Sequence, residues 1–181
     1  MGPSPGGALK VMRNYHEYDL ATSAALMGRP LAGMRAYDVT RVVDYLLTRG
    51  DINPRRISVA ARGDLCPVAL LASALDPRIA DGPVNFEVDP FDTAVMLNDC
   101  PDTFFVPDLP PDFSMQFYVP GILNVADMPV LAALTAPRGL MFSGTRNAAG
   151  STVSPEETVR RFGFTARIYK LLDAAGNLSL Q

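Results

Sequence analysis

The chain carries a single histidine, His16, and two cysteines, Cys66 and Cys100, and these bound the chemistry open to it. Any mechanism that needs an imidazole base must use that one residue. Most metal sites and nearly all acyl-transfer triads are therefore strained before they are proposed. Two cysteines are too few for a disulfide framework and lie too far apart for a metal knuckle. A structural bridge between them is not expected either, because a chain of this length builds its own core. The segment Ala61-Arg62-Gly63-Asp64-Leu65-Cys66-Pro67 is more informative. It joins a short apolar run to a helical one, so a strand, a tight turn and a helix N-terminus meet there. Such a turn is the geometry that exposes a nucleophile.

Elements of recognisable type surround that turn. Val39, Val42, Val43, Leu46 and Leu47 recur at helical spacing, with Arg35, Asp38, Arg41 and Asp44 on the other side and Gly50 as the stop. Asp38 and Asp44 read as solvated or paired with Arg35 and Arg41. After the Asn53-Pro54 turn, Ile57 to Ala61 is short and apolar, as buried parallel strands are. Pro67 suits the first turn of a helix that Val68 to Leu75 continue and Asp76-Pro77-Arg78 closes. Val84 to Val88 is a second strand candidate. From Asp89 to Gly121 prolines and aromatics crowd together, Phe104, Phe105, Phe113, Phe117 and Tyr118 among them, which reads as a long ordered insertion. Asp127 caps a short helix through Leu134, and Gly139 to Ser143 is a third strand. Ser154-Pro155-Glu156-Glu157 is a capping box, followed by the stripe Val159, Phe162, Ala166, Tyr169 and Leu172 and a stop at Gly176. Leu178-Ser179-Leu180 opens a fourth strand. Alternating helices and strands predict one α/β domain over 1–181, a parallel sheet with helices on both faces.

Composition narrows the function. Of 181 residues, 48% are hydrophobic and 19% charged, so the chain is neither disordered nor fibrous. Lys plus Arg is 16 against 19 Asp plus Glu, scattered in both signs, and there is no basic run to favour nucleic acid. No apolar run approaches the about 18 residues that span a bilayer. Met1 to Gly7 lacks the layout of a signal peptide, so the sequence names no compartment. No cofactor and no metal site is expected.

Four stretches carry a resemblance. Met27-Gly28-Arg29-Pro30-Leu31-Ala32-Gly33 through Val39 resembles the approach to the nucleophile elbow in α/β-hydrolases of the acetyl xylan esterase and dienelactone hydrolase group. Asp51-Ile52-Asn53-Pro54-Arg55-Arg56-Ile57-Ser58-Val59 is similar to the turn and strand that follow there. Ala72-Ser73-Ala74-Leu75-Asp76-Pro77-Arg78-Ile79 resembles the end of the elbow helix. Leu131 to Leu140, with Ala136-Pro137-Arg138 at its centre, resembles the run into the strand that carries the catalytic acid. The resemblance implies a partial α/β-hydrolase fold over most of residues 25 to 181.

It also implies a site that this chain does not fill. The family has Gly-x-Ser-x-Gly-Gly at the elbow, and here Gly63 stands where the nucleophile belongs. Gly144-Thr145-Arg146-Asn147 holds the acid's place, with Arg146 or Asn147 in it. The base histidine is expected after the fourth strand, beyond Gln181, and about four strands that help form the oxyanion hole are expected before residue 25. Asp64 as an aspartate nucleophile is one position off the elbow, and its simpler reading is a carboxylate at a helix N-terminus. Cys66 as a thiolate, which dienelactone hydrolases use, is three positions off, and its simpler reading is a buried cysteine. His16 lies upstream of the first helix and reads as a surface or packed residue.

The expectation is therefore an acetyl-xylan-esterase-like domain of the carboxylic ester hydrolases, inactive as this chain. Its partner, if the family activity is kept, is a small ester or acetylated carbohydrate; nucleic acid and membrane are not expected. The alternative is a non-catalytic binding or scaffold domain that recognises through the segment at about 89–121. In either case the strand Ile57 to Ala61 is expected as an open sheet edge that invites self-association.

Overall fold

The computed structural model describes residues 17–84, 86, 94–106 and 118–181. Helix α1 covers 17–26 and is followed by α2 (Leu31–Leu47), β1 (Val59–Arg62), α3 (Cys66–Leu75), β2 (Ala94–Pro101) and α4 (Met128–Ala133). The chain then forms β3 (Gly139–Arg146), β4 (Thr152–Val153), α5 (Pro155–Arg161), α6 (Gly163–Leu171) and β5 (Leu178–Leu180). This is a mixed α/β fold, a central sheet flanked by helices, as the element order implies.

Among the described residues the sheet has five strands, with β1 beside β2 and β2 beside β3 in parallel. Beyond β3, parallel β5 pairs with its first half and antiparallel β4 with its last residues. Strand side chains alternate between faces. Val59, Val95, Leu140 and Leu178 form one row across the sheet, and Ala61, Leu97, Phe142 and Leu180 the next. Both rows join the core with α2, α3, α4 and α6. Phe142 meets Phe162 at 4.4 Å between ring centroids. Ala60, Arg62, Asn98 and Ser143 belong to the alternate rows and are exposed.

Local signals placed most helix ends. Asp127 accepts from the Met128 amide and Ser154 from the Glu157 amide, the two side-chain caps expected. The stripes shifted by a few residues. In α2 the buried residues are Leu31, Ala32, Ala36 and Val43, while Val42 is 56% exposed, and the helix ends at Leu47 rather than at Gly50. The last helix breaks in two at Phe162, and its buried side chains are Thr158, Phe162, Thr165 and Tyr169.

One expectation is corrected. The second strand is Ala94–Pro101, inside the stretch taken at about 89–121 for an insertion. Four apolar residues, Ala94 to Leu97, suffice for a strand buried between two neighbours, and the surrounding prolines and acids hid them. Of the alternative, Val84 to Val88, residues 84 and 86 lie in no strand and 85, 87 and 88 fall outside the described residues, as do Phe113 and Phe117. The β3–β4 hairpin was not foreseen. Its turn is built by Asn147, whose Oδ1 accepts from the amides of Ala149 and Ser151 at 3.0 Å.

Candidate functional site

In an open sheet of this kind ligands bind beyond the carboxyl ends of the strands. Here β1, β2 and β3 bring Gly63, Asp64, Asp99, Asp102 and Arg146 to that end. The chain leaves β1 at Arg62, makes a 3-10 turn over Gly63–Leu65 and enters α3 with Pro67 in its first turn. Gly63 has φ +60°, a left-handed conformation that glycine adopts at little cost. The tight strand-to-helix turn expected from the sequence is thus present, with no side chain at its tip.

The space above that tip belongs to Arg146. A Cβ built on Gly63 would stand 3.2 Å from the Arg146 Nη2. The guanidinium is held on two sides: Nη2 is 3.2 Å from Asp64 Oδ1, and Nε is 3.2 Å from Asp99 Oδ1 while its N–H donates to the Asp99 carbonyl at 3.1 Å. These three side chains are 27–37% exposed, so water reaches the cluster. Of the two residues that the sequence resemblance puts in the acid's place, Arg146 faces the turn at Gly63. Asn147 is spent on its own turn.

The other sequence candidates fall elsewhere. The Cys66 side chain is fully buried, and its thiol donates to the Asn98 carbonyl at 3.4 Å. Asp64 serves as an ion-pair partner. His16 lies outside the described residues. Among the described residues no group of His, Cys, Asp and Glu is placed to hold a metal ion, and no helix is long and apolar enough to cross a membrane.

Two acids were missed. Asp99 sits at φ +53°, an uncommon conformation outside glycine that aspartate tolerates better than most. The Asp102 carboxylate is wholly enclosed, 2.6 Å from Arg161 Nη1, yet neither oxygen meets hydrogen-bond geometry with a described donor. Burial pushes its carboxyl above the usual carboxylate range and Arg161 opposes this; Asp127 and Glu157 add to the rise. Its amide donates to the Arg146 carbonyl at 2.8 Å, which ties the two strand ends together. Reading Ala94 to Leu97 as a strand would have exposed both acids, because they follow its carboxyl end.

No protein-family profile matches the chain, and no curated protein sequence does. Among solved structures, the crystal structure of a candidate acetyl xylan esterase from Bacteroides fragilis superposes on 88% of this chain with a TM-score of 0.65 and 13% sequence identity. The chain spans 38% of that protein's length. At this identity the likeness is one of fold.

Proposed function

We propose that this chain is an acetyl-xylan-esterase-like domain of the carboxylic ester hydrolases that does not hydrolyse esters by itself. The observation that carries the reading is the Arg146 guanidinium, clamped between Asp64 and Asp99 over a side-chain-free Gly63. A serine nucleophile needs a base within hydrogen-bond reach and a carboxylate to orient that base. At this elbow a cation stands in their space, and both nearby carboxylates are engaged with it. Support for the esterase-like part comes from the four sequence stretches and from the fold shared with the Bacteroides fragilis protein. The substrate class would be a small ester or acetylated carbohydrate.

The test is hydrolysis of an activated acetyl ester by the chain and by Gly63→Ser. Neither should exceed background. A saturable rate that survives both Cys66→Ala and His16→Ala would overturn the reading, because it would require a site of another kind.

A second reading, a non-catalytic binding domain, draws on the surface after β2. Phe104, Tyr118, Val119, Ile122 and Leu123 line a cavity of about 250 Å³ there, and Phe105 and Val125 are exposed. Under this reading Tyr118→Ala abolishes retention of an acetylated xylo-oligosaccharide while leaving the unfolding midpoint unchanged.

A further inference from the structure

Cys66 and Cys100 are distant in sequence, yet the fold delivers them to one place. Cys66 is the first residue of α3, and Cys100 stands near the carboxyl end of β2. The route between them is short. Arg62 pairs with Asn98, and the turn at Gly63–Leu65 carries the chain back over the same strand end. The Cys66 thiol then meets the carbonyl of Asn98, two residues before Cys100. Between them the left-handed Asp99 reverses the strand's alternation, so Cys100 joins Val95 and Leu97 in the helix-facing core. The Cys100 thiol donates to the Pro101 carbonyl at 3.4 Å, so both thiols sit at this one strand end, fully buried and free.

We propose that Cys66 and Cys100 form a modification site, a thiol pair that a peroxide converts into a disulfide tying the first turn of α3 to the end of β2. Cys66 lies beside the exposed Leu65 and the short 3-10 turn, where a local opening admits a small oxidant. Cys66 reacts first because it adjoins that turn, while Cys100 lies within the end of β2, where burial pushes its thiol up, and resolves. The Cys66 thiolate attacks one peroxide oxygen; the O–O bond breaks, and the other oxygen leaves as hydroxide and takes up a proton. The Cys100 sulfur then attacks the Cys66 sulfenic acid. The S–S bond forms, the S–O bond breaks, and the hydroxide departs as water with the Cys100 proton. Two thiols are oxidised and one peroxide is reduced to two waters.

The experiment treats the native 181-residue chain with hydrogen peroxide, unfolds it in alkylating reagent and reads its intact mass. The expected product has lost two hydrogens, takes no alkyl group, stays monomeric on a non-reducing gel and yields one peptide joining positions 66 and 100. Its Tm should rise by about 10 °C and fall back with dithiothreitol. In Cys100→Ser, Cys66 should instead gain oxygen. Two alkylatable thiols surviving in the native chain, or a bridge joining two chains, would overturn the proposal. The wild-type peptide map decides the matter even if Cys100→Ser does not fold.

Discussion

Arg146 and Asp102 end neighbouring strands and share a backbone hydrogen bond, but their charges meet opposite surroundings. Arg146 is partly exposed and balanced by two acids, so its ion pairs are screened and each adds about 0–1 kcal/mol. Asp102 is enclosed with one guanidinium beside it. Its folded pKa lies above its unfolded value, so the stability linked to its protonated form is full below about 3.8 and is lost as pH rises through the folded pKa. In urea titrations, wild type should lose stability relative to Asp102→Asn as pH rises through that range; a constant difference would refute the burial argument. Arg161→Ala leaves the buried carboxylate without its cation and should cost about 2–3 kcal/mol at neutral pH, below the full cost of a buried pair because Arg161 is half-exposed. At Gly63 the left-handed backbone and the Arg146 contact act together, so Gly63→Ala should lower stability by about 1–2 kcal/mol.

Among elements, the α5–α6 pair shows how local and tertiary forces divide the work. Ser154 starts α5 with a cap that any chain with this sequence would make, and Ser154→Ala should cost about 1 kcal/mol in the unfolding midpoint. Where the helix turns is settled by packing. Phe162 enters the core against Phe142, Thr158 meets Thr145 at 2.7 Å, and Tyr169 donates to the Arg138 carbonyl at 2.8 Å. Burial pushes the Tyr169 hydroxyl up to about 12, so it stays a donor at ordinary pH. Phe162→Ala removes the ring that spans β3 and both helices and should cost about 3–5 kcal/mol. A loss near 1 kcal/mol would mean that the two helices hold together without it.

For the molecule as a whole, the open side of the sheet is the main consequence. Among the described residues β1 has β2 on one side and no strand on the other, and its exposed residues are Ala60 and Arg62. A short edge with a small residue at its centre has little to discourage pairing with a second copy. Light scattering should find species larger than the monomer, and Ala60→Lys should shift them back toward it. A wild-type monomer at high concentration would end this expectation.

The amino-acid sequence determined what neighbouring residues decide among themselves. Capping by Asp127 and Ser154, proline in the first turn of α3, the glycine of the strand-to-helix turn and the apolar runs of β1, β3 and β5 act over a few neighbouring residues, so they were legible directly. The strand β2 was not, because the prolines and acids around its apolar run signal a loop equally well. Only the tertiary structure placed Arg146 over Gly63, enclosed Asp102 beside Arg161 and set Cys66 against the end of β2 that carries Cys100. Each of those contacts joins residues far apart in the chain, on strands whose order and register arise from burying both sheet rows at once. No local pattern encodes such a pairing, because its free energy comes from removing apolar surface that many separate elements share.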